Sequence, residues 1–196
     1  MCSSDLRAMS GTQQELPRWK QGVDAINDAL GEAVGELYVA QHFPPAQKAR
    51  MQELVANLLA AYRSSVDGLS WMTPETQLQA QDKLSKYLVK IGYPDVWRDY
   101  SGLEVKRGDF LGNVQRGNAF EARRQLNKIG KPLDRGEWGM TPQTVNAYYN
   151  PQMNDINFPA GVLQPPLFDT RLDDAPSYGN TGGTIGHELI RTSNPI

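Results

Sequence analysis

Two adjacent side chains, His187 and Glu188 in the run Gly186-His187-Glu188-Leu189-Ile190-Arg191, are of the types that metal-assisted hydrolysis uses. In a His-Glu-x-x-His helix the two imidazoles stand one turn apart on one face and share a zinc ion, and the glutamate polarises the zinc-bound water as general base. Position 191, four residues after His187, holds arginine, whose guanidinium is permanently charged and has no lone pair for a metal. The run therefore supplies one ligand and the base without the second histidine. Taken alone, Gly-His-Glu reads better as an ordinary helix start with an acid near its positive end.

The elements that must position this pair follow from periodicity. Trp19, Val23, Ile26, Leu30, Val34, Leu37 and Tyr38 recur every three or four positions, the pattern of an amphipathic helix ending near His42. His42 itself reads as a helix-end residue complementing the dipole, with no further role. Pro44-Pro45 breaks and restarts the chain, and Met51, Leu54, Val55, Leu58, Leu59, Tyr62 and Val66 mark a second helix ending before Gly68. Thr73-Pro74-Glu75 starts a third, with Leu78, Leu84, Leu88 and Ile91 expected inward until Gly92-Tyr93-Pro94 closes it. Beyond a loop with a docked Trp97, a fourth helix is expected over 109–129. Phe110, Val114, Phe120 and Leu126 would face inward, with Arg116, Arg123, Arg124 and Lys128 on a solvated side.

After Pro132 the character changes. Segments 145–149 and 155–158 are β-rich and flank Asn150-Pro151-Gln152-Met153-Asn154, so they read as a hairpin in which Tyr148 and Tyr149 point to opposite faces. A proline-rich loop and a glycine-rich approach lead to His187. A domain boundary is expected near 133–141. Ile185, Leu189 and Ile190 form an apolar face without an evident partner, and the hairpin has no evident sheet, so 142–196 is expected to be poorly ordered by itself.

The chain has 196 residues, with 22 acidic and 20 basic side chains and a net charge of −2, so charge gives no attraction to nucleic acid or an anionic membrane. Its single cysteine, Cys2, excludes an intrachain disulfide. No run of about 18 apolar residues exists that could span a bilayer. Met1-Cys2-Ser3-Ser4-Asp5-Leu6 does not read as a natural start, because Cys-Ser-Ser-Asp-Leu is what the end of a common sequencing adapter encodes. Residues 1–15 are therefore expected to be non-native or disordered, and 192–196 to be a truncated or frame-shifted end.

Context changes the reading of His187-Glu188. Val145-Asn146-Ala147-Tyr148-Tyr149-Asn150-Pro151-Gln152, Phe158-Pro159-Ala160-Gly161-Val162-Leu163-Gln164-Pro165-Pro166 and Gly186-His187-Glu188 closely resemble, in order and spacing, the approach to the zinc helix in the neprilysin and endothelin-converting enzyme family. Leu37-Tyr38-Val39-Ala40-Gln41-His42-Phe43-Pro44 and Lys90-Ile91-Gly92-Tyr93-Pro94-Asp95 extend the resemblance upstream. It implies a zinc metalloendopeptidase that cuts small peptides on the amino side of bulky apolar residues. It also implies a mainly α fold, with a helical scaffold domain over 16–138 and the start of a thermolysin-like α+β catalytic domain over 139–191.

By the same resemblance, His187 is the first zinc ligand, Glu188 the general base, and Asn146 and Ala147 bind the substrate backbone, the first through its side-chain amide and the second through its main chain. Without that context Asn146 reads as a residue beginning a strand beside a turn. One zinc ion is implied for a full-length parent, exported or periplasmic, and stable zinc binding is not expected of a fragment with one ligand. Arg191 motivates an alternative, a non-catalytic peptide-binding homologue that has lost the metal.

Overall fold

The computed structural model describes Gly11 and residues 14–191. The expectations for 1–10, 12, 13 and 192–196 lie outside these residues. Helices α1 (Arg18–His42), α2 (Pro45–Asp67) and α3 (Pro74–Ser85) come first, followed by β1 (Leu88–Gly92) and α4 (Phe110–Leu126). The hairpin strands are β2 (Tyr148–Asn150) and β3 (Asp155–Pro159); a short helix α5 (Asp174–Ser177), a π-helical turn (Tyr178–Gly182) and α6 (Gly183–Arg191) follow. The fold is mainly α with a small three-stranded sheet, as the sequence implies.

The chain divides into two compact units, each drawn from two stretches of sequence. One takes the chain through Val34 and then Asp99–Pro132. Within it, Tyr100 stacks on Phe120 with ring centroids 5.7 Å apart, and its hydroxyl accepts from the Glu32 amide at 3.3 Å. Gly117 of α4 approaches Ala29 of α1 so closely that an added side chain would collide. Asp109 caps α4 by accepting from Gly112 N–H at 3.1 Å and pairs with Arg116 at 2.9 Å, while Arg124 pairs with Glu121 at 2.7 Å. These arginines thus serve local acids on a solvated helix side. Trp19, Val23, Ile26, Phe110 and Leu126, expected inward, are exposed. Periodicity located these helices without showing which apolar stripe is covered.

The other unit, Gly35–Arg98 with the residues from Leu133 onward, contains the sheet, ordered β1-β3-β2. Here the third predicted helix is corrected. Helix α3 ends at Ser85, Leu78 is exposed, and residues 88–92 form β1, parallel to β3 with Val89 opposite Ile156 and Ile91 opposite Phe158. Leu88 and Ile91 sit at helical spacing, but β-branched Val89 and Ile91 alternate at a period of two, and pairing with β3 satisfies the backbone while burying Ile91. Gly92 closes the strand at φ +79°, where a Cβ would drive into the Phe43 ring.

This pairing also overturns the expected lack of partners for the C-terminal stretch. Strand β1 completes the sheet, and Ile185 and Leu189 are buried in one core with Phe43, Met51, Val55 and Phe158. Trp97 docks as expected, stacked on Tyr93 at 5.8 Å.

Strand β3 is buried along its whole length. Ile156 and Phe158 join the apolar core, while Asp155 and Asn157, two residues apart, share the other face. There Lys90 Nζ donates to Asp155 Oδ2 at 2.6 Å and to the Glu137 carbonyl at 2.7 Å, and Asn157 Nδ2 donates to Asp155 Oδ1 at 2.8 Å. The paired side chains are only 6% and 1% exposed. At such burial, desolvation offsets most of the attraction, and the larger effect comes from removing one partner.

Replacing Lys90 with methionine should therefore lower stability by about 3–5 kcal/mol in a denaturant melt, because Asp155 stays buried without its cation; adding Asp155→Leu should recover much of the loss. A second expectation concerns Asp169, whose carboxyl is held down at about 2 by hydrogen bonds from the Arg171 side chain and amide. Because the folded value is depressed, this contribution is present above the ordinary carboxylate value of about 4 and is lost as pH falls towards 2. In an NMR titration, Arg171→Ala should move the Asp169 midpoint up towards about 4.

Candidate functional site

The approach to His187 is fixed by α2. Arg50 donates to Asp174 Oδ1 at 2.7 Å and to the carbonyls of Leu172 and Thr170 at 3.0 Å each, and Gln47 donates to the Leu163 carbonyl at 2.9 Å. Asp173 caps α5 by accepting from Ala175 N–H at 3.0 Å. The π turn follows, tied back by Thr181 Oγ1 donating to the Leu167 carbonyl, and α6 starts directly after it.

Helical geometry then separates the two functional side chains. Ile185 and Leu189, four apart, both enter the core and set the orientation of α6. At about 100° per residue, His187 lies roughly 200° around the axis from Ile185 and Glu188 roughly 300°. His187 is accordingly exposed, while Glu188, beside the buried stripe, is 7% exposed. The Oε2 atom of Glu188 is fully buried and has no hydrogen-bond partner among the described residues.

Tyr87, immediately before β1, packs half-buried against the same apolar core. Its ring stacks on Tyr149 with centroids 6.1 Å apart and planes 10° from parallel, and its hydroxyl is also buried without a partner. Burial pushes the phenol far above its ordinary range, and the neighbouring Tyr149 and the charges of Glu188 and Asp155 push it further.

Asn146 and Ala147 immediately precede β2, whose pairing begins with Tyr148 opposite Asn157. Asn146 is exposed, and its Oδ1 accepts from Ala147 N–H at 2.8 Å. The following tyrosines alternate as expected: Tyr149 packs against the apolar core, and the Tyr148 hydroxyl accepts from Gly139 N–H at 2.7 Å. Strand β2 is a sheet edge among the described residues, and α6 packs against it. The helix of His187 and Glu188 thus lies beside an edge that an extended peptide could continue as one more strand.

A zinc site needs three or four preoriented protein donors. Among the described residues no group of three or more His, Cys, Asp or Glu side chains could hold a metal. By themselves they do not fit a zinc centre, although the exposed imidazole of His187 can serve as one ligand. The buried polar residues Lys90, Asp155 and Asn157 and the half-buried Tyr87 were not singled out from the sequence. Asp155-x-Asn157 within a β-rich segment was the available signal, since alternate residues of a strand share a face.

Comparison with known proteins agrees with this arrangement. Two family models, each described as peptidase family M13, match residues 3–94 and 146–193. An endothelin-converting enzyme homologue of Locusta migratoria is 33% identical over 190 residues, 93% of this chain and 26% of the relative. Human neprilysin is 32% identical over 191 residues, with the same two coverages. The chain therefore spans about a quarter of the length of these curated relatives. Among solved structures, the zinc metalloprotease Zmp1 of Mycobacterium tuberculosis in its open state superposes with a TM-score of 0.88 at 53% identity, over 96% of this chain and 29% of that one. PepO from Lactobacillus rhamnosis superposes at 0.85 with 32% identity, over 95% and 30% respectively. With helical scaffold, sheet edge and histidine-glutamate helix matched throughout, the chain belongs to peptidase family M13.

Proposed function

We propose that this sequence is the scaffold and zinc-helix portion of a zinc-dependent metalloendopeptidase acting on small peptides. In this reading residues 16–138 belong to a helical domain and 139–191 begin the catalytic domain. His187 is a metal ligand, and Glu188 accepts the proton of the attacking water. The observation that carries the proposal is the packing of the His187-Glu188 helix against the sheet edge that begins at Tyr148. Similarity to proteins named as neprilysin and zinc metalloprotease supports it.

Asn146 and Ala147 are the proposed peptide-binding residues. Because the Ala147 N–H is directed to Asn146 Oδ1, the groups they offer to a peptide are the Asn146 amide donors and the Ala147 carbonyl. Pairing through main-chain groups ties affinity to extended conformation, while pockets beside the strand select side chains.

A second reading, a non-catalytic peptide-binding homologue, is favoured by Arg191 standing four residues after His187. It keeps the edge and the scaffold and needs no metal.

In a full-length family enzyme carrying this sequence, incubated with zinc and a quenched fluorescent peptide, the peptidase reading expects cleavage that a chelator stops and that Glu188→Gln lowers by about 10²–10⁴-fold, the usual weight of a general base, with zinc still bound. The 196-residue chain by itself, with one ligand, is expected to be inactive. Peptide binding without cleavage in the full-length protein, weakened by Asn146→Ala, is the outcome expected of the non-catalytic homologue. Retained turnover after Glu188→Gln would reject the peptidase reading, and neither binding nor cleavage would reject both.

A further inference from the structure

We propose that Arg50 is a positioning residue for the helix of His187 and Glu188, setting where that helix lies along its own axis. Residues 174–191 are helical without a break, through α5, the π turn and α6. Ile185 and Leu189 fix how the far part of this run is turned, since both are buried in the apolar core. Apolar burial is non-directional, whereas hydrogen bonds hold only over a narrow range of distance and angle. The position of the run along its axis is therefore a matter for its polar anchors.

One face of α2 supplies them. Asn57 and Leu58 lie seven and eight residues after Arg50, about two turns of helix, so the three share a face. Their partners Asp174, Tyr178 and Gly182 follow one another at intervals of four. Arg50 Nη2 donates to Asp174 Oδ1 at 2.7 Å, and Asn57 Nδ2 donates to the Tyr178 hydroxyl at 2.7 Å. A Cβ on Gly182 would meet the Leu58 side chain at 3.7 Å. The two helical stretches thus run side by side in the same direction, with Arg50 at the beginning of the second.

Arg50 holds more than Asp174. It also donates to the Thr170 and Leu172 carbonyls at 3.0 Å each, and its guanidinium lies 5.8 Å from the centre of the buried Phe168 ring. Three separate acceptors suit a planar fork of five donors, and a lysine ammonium, a single point of charge, does not span them. The Asp174 side chain is 70% exposed, so its ion pair contributes little by itself and the two carbonyls carry the clamp. A slide of the run would carry His187 and Glu188 along the sheet edge against which α6 packs. The consequence for catalysis rests on the peptidase reading; the placement of the helix does not.

Methyl NMR of the 196-residue chain tests the placement without turnover, so failure of the peptidase reading leaves it intact. Native-state shifts report position, and a substitution that only lowers stability changes the folded population without moving them. Arg50→Ala should shift the Ile185 and Leu189 methyl resonances, and Arg50→Lys should fail to restore them. Asp174→Ala, which spares both carbonyls, should shift them less. Unmoved Ile185 and Leu189 methyls in Arg50→Ala, or wild-type positions in Arg50→Lys, would overturn the proposal. Should Arg50→Ala not fold, Arg50→Lys decides by the same resonances.

Discussion

The parallel pairing of β1 with β3 is the interaction on which the site-bearing unit depends. Strand β3 lies between β1 and β2, so the edge beginning at Tyr148 has its register only through β3. On the apolar face, Ile156 and Phe158 give Ile185 and Leu189 a surface to meet, which orients α6. On the opposite face, Lys90 crosses from β1 to Asp155. A one-residue slip would turn Asp155 and Asn157 into the apolar core and Ile156 away from it, so the polar cluster and the core reinforce a single register.

Much of this was legible in the sequence, for identifiable reasons. Helix α2 carries Met51, Leu54 and Val55 at helical spacing, starts at a Pro-Pro break and ends before Gly68, so local pattern and tertiary burial agree. Thr73 caps α3 as its side-chain chemistry suggests, accepting from Thr76 N–H at 3.2 Å. The hairpin appears because a turn-rich segment separates two β-rich ones, and Asn150 Oδ1 closes that turn on the amides of Gln152 and Met153.

Strand β1 was not legible, because its identity comes from a partner far along the chain. Residues 88–92 satisfy a helical and a strand pattern equally well, and only β3 decides between them. The same limit applies within the candidate site. Sequence placed His187 and Glu188 side by side, but their different environments follow from which face of α6 the core takes. Family resemblance reached Asn146 and Ala147 but could not foretell that they bond to each other.

The separation of β1 from its partner has a consequence for biosynthesis. Lys90 and Asp155 are 65 residues apart, so at about 5–20 residues per second a ribosome takes roughly 3–13 s to bring out the second after the first. During that interval Val89 and Ile91 have neither ladder nor core, and Lys90 has no counter-ion. Its charge then works in the nascent chain's favour, since a lysine within an unpaired strand discourages pairing with neighbouring polypeptides. The side chain that is a buried ion-pair partner in the finished sheet thus first serves as a solubilising guard on an unaccompanied strand.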